Sequence, residues 1–208
     1  MLLIIARHGQ SDLNKKNINS GQRTPATLSD LGLRHAEALA AAMESYDLDA
    51  IYSSPLARAS MTAEPTAKSK GLSVIIEPRI IEMDFGECDG LFMDDPFLIK
   101  HNNLRFSSND YKMPGGESYA EVIKRAESYY EDLIERKHKC VLHVSHLGFN
   151  RGLISILAGT PVGNLKNISS DNGIVYLFDT GSRKMNWIHT QTKEKGAGIV
   201  FGTHHNKI

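Results

Sequence analysis

Five consecutive apolar residues, Leu2–Ala6, run directly into Arg7, His8 and Gly9. A strand that is apolar at every position, rather than at every second one, has no face to give to water and must be covered on both sides. That demand selects a sheet between layers of helices, and the rest of the chain supplies the parts. Residues 28–45 repeat apolar side chains at Leu33, Ala36, Leu39, Ala40 and Met43, a helical spacing. Residues 49–55 read as a short strand ending in a polar turn, with Ser54 as cap and Pro55 as first residue of the next helix. That helix runs toward Lys70, and Pro65 inside it is expected to kink or break it. Residues 71–78 read as another strand. Ser118 and Glu121 form a capping box for a helix that buries Val122, Ile123, Ala126, Tyr130, Leu133 and Ile134. Residues 139–146 read as a strand, 148–159 as a helix, and 173–179 and 184–190 as two closing strands around a turn. Strands alternating with helices predict an α/β fold, a three-layer αβα sandwich with a mainly parallel central sheet.

A chain of 208 residues suits one domain, spanning 1–208. Residues 92–116 lack periodicity and mix Phe92, Phe97, Phe106 and Tyr111 with Lys100, His101, Arg105 and Lys112. They are expected to form a lid or insertion that sets specificity. The polar tail from Gln191 is expected to be loosely held, with His204 and His205 solvated. Lys plus Arg and Asp plus Glu both number 24, so no overall field favours nucleic acid or an acidic membrane, and any cationic site must be local. Cys88 and Cys140 are in no metal-binding or redox spacing and read as reduced thiols. The N-terminal apolar run is too short for a signal peptide, and no stretch approaches a membrane span, so a cytoplasmic location is expected.

In open α/β sheets, ligands bind beyond the carboxyl ends of the strands. That rule singles out Arg7-His8-Gly9, the Ser53–Arg58 stretch, and Ser145-His146. His8 reads either as a sheet-end histidine with a satisfied hydrogen bond or as a nucleophile. Arg58, in the first turn of a helix, reads as a surface ion-pair partner or as an anion ligand helped by the helix terminus. Glu82 follows two isoleucines and reads as a solvated loop carboxylate or as a proton donor in apolar surroundings. His143 and His146 fall on opposite faces of their strand, which argues against a shared metal.

Together, "RHGQS" with Asn14, "SSPLARA", "EMDFGE" with "PGGES", and "VSHLGFNR" resemble the histidine phosphatase superfamily, in order, from about residue 2 to about residue 180. The resemblance implies a phosphoglycerate mutase-like fold and assigns roles. His8 matches the nucleophile that becomes phosphohistidine. Arg7, Arg58 and His146 match the cationic pocket around the phosphoryl group. Asn14 matches a further phosphate contact, the Ser20, Gly21 and Gln22 stretch a loop lining the site, and Glu82 the usual proton donor. The family commonly has two glycines after its second histidine; here the first is Leu147, in a binding position where positive φ would disfavour it. Asp89 replaces a frequent glutamate, and the loop between Gly21 and Leu28 is about one residue longer than usual.

The implied activity is metal-independent hydrolysis of small phosphomonoesters through phosphohistidine, with no cofactor and no metal. Mutases usually carry an "E-R-x-Y-G-x-L" type segment after the proton donor, where this chain has "EMDFGECDG". The alternatives are a cofactor-dependent phosphoglycerate mutase, or a non-catalytic phospholigand-binding protein of the same fold. The expected partner is a small-molecule phosphomonoester, with neither nucleic acid nor membrane; the sequence carries no sign of oligomeric state.

Overall fold

Strand β1 (Leu2–Arg7) meets the demand of its sequence by splitting its side chains between two cores. Leu3 and Ile5 point into one apolar cluster, Ile4 and Ala6 into another, and all four are buried. The computed structural model describes residues 1–169 and 171–202, so His204 and His205 lie outside the described residues. After β1 come α1 (Asp12–Lys15), α2 (Asp30–Met43), β2 (Ala50–Ser53), α3 (Ala57–Lys70), β3 (Val74–Ile76) and α4 (Pro96–Ser107). The remaining elements are α5 (Tyr119–Glu135), β4 (Cys140–Ser145), α6 (Leu147–Ala158), β5 (Ile174–Asp179), β6 (Lys184–His189) and β7 (Lys195–Ala197).

The strands form one mixed sheet in the order β3-β2-β4-β1-β5-β6-β7. The first four are parallel; β5, β6 and β7 add on antiparallel. Helices α2 and α3 cover one face through Leu39, Met43, Ala59 and Ala63. Helices α5 and α6 cover the other through Val122, Ala126, Leu133, Phe149 and Leu153. Arg7 pairs in register with Ser145, and Ser53 with Val144, so β1, β4 and β2 end side by side. This brings the three sequence segments picked out by the strand-end rule to one rim.

Several local expectations shift. Helix α3 begins at Ala57 with Leu56 as its cap residue, so Ser54 is not the cap and Pro55 lies before the helix. Pro65 sits inside α3 without breaking it. The capping box of α5 forms, but Tyr129 is fully buried while Tyr130 is only partly so, and Ile134 is exposed. Parts of residues 191–202 make backbone pairings that the polar composition did not announce. β7 pairs with β6, whose open edge is a template for another strand; beyond it Phe201 bridges to Ile168, and the buried Val200 accepts from the Ser169 N–H. Within 92–116, α4 forms with Asp95 as its cap and Pro96 as its first residue.

Candidate active site

His8 follows the last residue of β1, 3% exposed, its backbone fixed from three sides. The Asn172 side chain donates to the His8 carbonyl at 2.6 Å, the His8 N–H donates to the Ser145 carbonyl at 2.9 Å, and the Gly9 N–H donates to Thr62 Oγ1 at 2.9 Å. Gly9 must be glycine: a Cβ there would lie 2.5 Å from the carbonyl oxygen of Gly32 in the first turn of α2. His8 Nδ1 lies 2.7 Å from the Gly9 carbonyl, which can only accept, so Nδ1 carries the proton and Nε2 is bare. Arg58 Nε, at 3.3 Å, donates to that Nε2. Burial, then Arg7 and then Arg58, hold the imidazole pKa well below its usual 6.5, so the ring is neutral.

Arg58 is 1% exposed, and one of its Nη atoms donates to the carbonyls of Ser20 and Gly21 at 3.2 and 2.8 Å. Asp89 holds that loop from the other side, accepting from the N–H groups of Gly21 (3.0 Å) and Arg23 (2.7 Å). Burial lowers the Arg58 pKa, and burial takes Arg7 down to about 10, so both stay charged at neutral pH. His146 lies with its ring centroid 5.0 Å from that of His8, and its Nε2 meets Ser54 Oγ at 2.8 Å. Its Nδ1 is buried with no hydrogen-bond partner among the described residues. Burial, with Arg58 and His8 next, lowers its pKa well below 6.5. The expected imidazolium is therefore a neutral ring in this pocket, able to donate one hydrogen bond but adding no charge.

Glu82 is 5% exposed, yet its surroundings are not the apolar ones expected. Its Oε1 accepts from the N–H groups of Met83 (2.7 Å) and Phe149 (3.0 Å), and Oε2 from that of Gly148 (3.2 Å). The last two donors belong to the free N-terminal turn of α6, a natural seat for a carboxylate. Gly148 permits the approach, since a Cβ there would lie 2.4 Å from Oε1. Leu147 is the first residue of α6 and is not among the positive-φ residues, so leucine carries no backbone penalty. The second position, not the first, is the one that requires glycine.

A cavity of about 360 Å³ opens here, walled by Arg7, His8, Asn14, Ser20, Glu82 and Leu147. Asn14 Oδ1 is used in a capping box with the Ser11 N–H, which leaves its amide N–H groups for the cavity. Ser20 Oγ has no partner among the described residues. Gly21 and Gln22 are not cavity walls: Gly21 receives Arg58, and Gln22 donates to the Glu82 carbonyl at 2.6 Å. Sequence reasoning did not assign Arg105, Arg151 and Lys166, which also line the cavity. Arg105 fell in the segment expected to set specificity without a role of its own, Arg151 closes the "VSHLGFNR" motif without one, and Lys166 comes from a loop with no motif. Among the described residues no group of three His, Cys, Asp or Glu is placed to hold a metal, and no helix is long and apolar enough to cross a membrane. His143 turns away from the cavity to Tyr129 Oη (3.3 Å) and Asn150 Oδ1 (3.0 Å). Cys88 and Cys140 are both free and buried.

The family model of the histidine phosphatase superfamily (branch 1) matches residues 3–192. The chain belongs to this superfamily. It is 33% identical over 174 residues to phosphoserine phosphatase 1 of Hydrogenobacter thermophilus, covering 82% of each chain. It is 29% identical to a 2,3-bisphosphoglycerate-dependent phosphoglycerate mutase of Allorhizobium ampelinum, covering 97% of this chain and 98% of the other. Among solved structures it resembles the α-ribazole phosphatase of Shigella flexneri, with 26% identity, a TM-score of 0.73, and 97% and 96% of the two chains covered. A mycobacterial glucosyl-3-phosphoglycerate phosphatase aligns with 25% identity and a TM-score of 0.76, over 97% of this chain and 98% of that one. The fold is thus phosphoglycerate mutase-like, and the chain is a phosphoric monoester hydrolase of the histidine phosphatase superfamily.

Proposed function

We propose that the chain hydrolyses small phosphomonoesters without a metal, by passing the phosphoryl group first to His8 and then to water. The observation that carries this reading is the His8 ring: neutral, tautomer set by Gly9, with the bare Nε2 facing Arg58. Phosphoryl transfer asks for an in-line nucleophile and for stabilisation of charge on the equatorial oxygens. The Arg7 and Arg58 guanidinium groups provide charge-assisted donors for those oxygens. The unpartnered His146 Nδ1 and Ser20 Oγ, and the Asn14 amide, are the further donors. Nε2 attacks phosphorus, the ester oxygen leaves, and Glu82 supplies its proton. Oε1 already accepts two backbone bonds and is full, whereas Oε2 accepts one; Oε2 is therefore the oxygen that carries the proton. In the second step Glu82 takes a proton from the water that attacks phosphohistidine, regenerating His8.

The cavity volume lies at the low end for ligand pockets, which suits a small metabolite rather than a phosphoprotein. The relatives' names include both phosphatases and a mutase, and "EMDFGECDG" favours hydrolysis over mutase chemistry. Cytoplasmic residence belongs to this reading, on the two free thiols. The test is release of inorganic phosphate from a panel of phosphomonoesters in EDTA, with 3-phosphoglycerate plus its bisphosphate primer scored for isomer against free phosphate. Free phosphate in EDTA, abolished in His8→Ala, is the expected outcome. Isomer as main product moves the chain to the mutases, and binding of phosphomonoesters without turnover makes it a binding protein.

A further inference from the structure

The phosphoryl site described above uses one end of the cavity. The other end is built from cations that this chemistry does not need. Arg105 of α4 and Arg151 of α6 are 6% and 8% exposed, and Lys166 stands beside them on the wall. Among the described residues none of the three is in a salt bridge. A buried guanidinium without a carboxylate is costly to hold. Here its hydrogen-bond partners are neutral and occupy only part of each fork.

Arg105 donates Nε to Asn102 Oδ1 (2.8 Å) and Nη1 to Tyr119 Oη (3.1 Å), between the rings of Phe85 and Phe106. Its Nη2 has no acceptor among the described residues. Arg151 donates Nε to the Leu165 carbonyl and Nη2 to the Lys166 carbonyl, both at 3.1 Å, and its Nη1 is likewise left over. Among the described residues Lys166 Nζ reaches only Asn103 Oδ1, at 3.0 Å. Arg151 repels Arg7 on one side and Arg105 on the other, so positive charge is continuous along the wall.

We infer that Arg105, Arg151 and Lys166 form a subsite for a second, carboxylate group on the substrate, which makes the preferred substrates small phosphorylated carboxylic acids. Arg7 and Arg58 meet the phosphoryl dianion, which leaves Arg105, Arg151 and Lys166 as surplus positive charge at the other end of the cavity, where a second anionic group fits. The two Nη groups left over favour a carboxylate, which has two oxygens to receive them. The free Nη groups of two arginines offer it charge-assisted donors. This inference rests on the phosphoryl site lying at His8.

The test compares two ligands alike except at one carbon: 3-phosphoglycerate, with a carboxylate, and glycerol 3-phosphate, with a hydroxymethyl group there. Affinity is measured by calorimetry on His8→Ala protein, and kcat/KM on the wild type. A carboxylate preference of about 10- to 100-fold is expected, the range for one or two hydrogen bonds to a charged group. The preference should fall by about tenfold in Arg105→Gln and in Lys166→Met. Lys166 is exposed, so that variant has little cause to disturb folding. Equal affinity for the two ligands, or a preference unmoved by both substitutions, overturns the subsite. Absence of phosphate release with the affinity difference intact overturns the catalytic reading and leaves the subsite standing.

Discussion

Replacing Gly148 by alanine probes the seat of Glu82 with one methyl group. The added Cβ would lie 2.4 Å from Glu82 Oε1 and 3.2 Å from its Cδ, where ordinary contact begins near 3.4 Å. The carboxylate must therefore retreat by about 1 Å, a misplacement of the size that can cost a reaction about 100-fold. A shift away from α6 breaks the bonds from the Phe149 and Gly148 N–H groups, now 3.0 and 3.2 Å long. Each bond to a charged group is worth roughly 1.5–3 kcal/mol, part of which returns as the carboxylate turns toward the cavity water. A net cost of about 2 kcal/mol follows, read as a fall in Tm of about 4–8 °C for a chain of this size. Steady-state kinetics on an alkyl phosphomonoester should show kcat/KM down by about 100-fold. Leu147→Gly is the control: it meets no such contact and should lose roughly tenfold less rate, with a helix-propensity cost below about 1 kcal/mol. A Gly148→Ala enzyme with wild-type kcat/KM and Tm would falsify the placement of Glu82 against α6.

Glu82→Gln should cut turnover of alkyl phosphates by at least about 100-fold but that of p-nitrophenyl phosphate far less, because nitrophenolate leaves without a proton; equal losses on both would remove the proton-transfer role. Arg58→Lys keeps the charge but loses the fork that reaches His8 Nε2 and the Ser20 and Gly21 carbonyls, and kcat/KM should drop by roughly 10- to 100-fold. Stability should fall with acid. Burial lowers the pKa of His143 to about 4, so between its unfolded value of 6.5 and that point the unfolded chain binds the extra proton. Stability from this group is full above pH 6.5 and is lost as pH falls toward 4, by about 3 kcal/mol in all. Urea titrations across that window check it, and a flat profile that His143→Gln leaves unchanged would contradict it. His8 and His146 have pKa values shifted the same way and steepen the slope.

Much of this was legible in the sequence because it follows from burial. The all-apolar Leu2–Ala6 run fixed a doubly covered strand, and the strand-end rule brought Arg7, His8, Ser54, Arg58 and His146 to one rim. Spacing could not show the hydrogen bonds that decide protonation. The Gly9 carbonyl that sets the His8 tautomer, and the α6 amides that hold Glu82, are contacts across loops. The "LG" after His146 looked like a damaged glycine pair, yet only the steric approach of Glu82 tells which position needs glycine. Arg105 was hidden because α4 carries exposed Phe97, Ile99 and Leu104 among its polar residues, which erases an amphipathic pattern. The strand β7 was missed because a short Gly-containing segment acquires its order from the edge of β6, not from its own composition.

The most direct measurement is the site and linkage of the phosphoryl group on enzyme quenched in base during turnover, read by peptide mass spectrometry and 31P NMR. Transfer to the bare ring nitrogen predicts an acid-labile phosphohistidine on His8, bonded through Nε2, because Nδ1 is committed to the Gly9 carbonyl. Phosphate on another residue, linkage through Nδ1, or full turnover in enzyme lacking the imidazole contradicts the account.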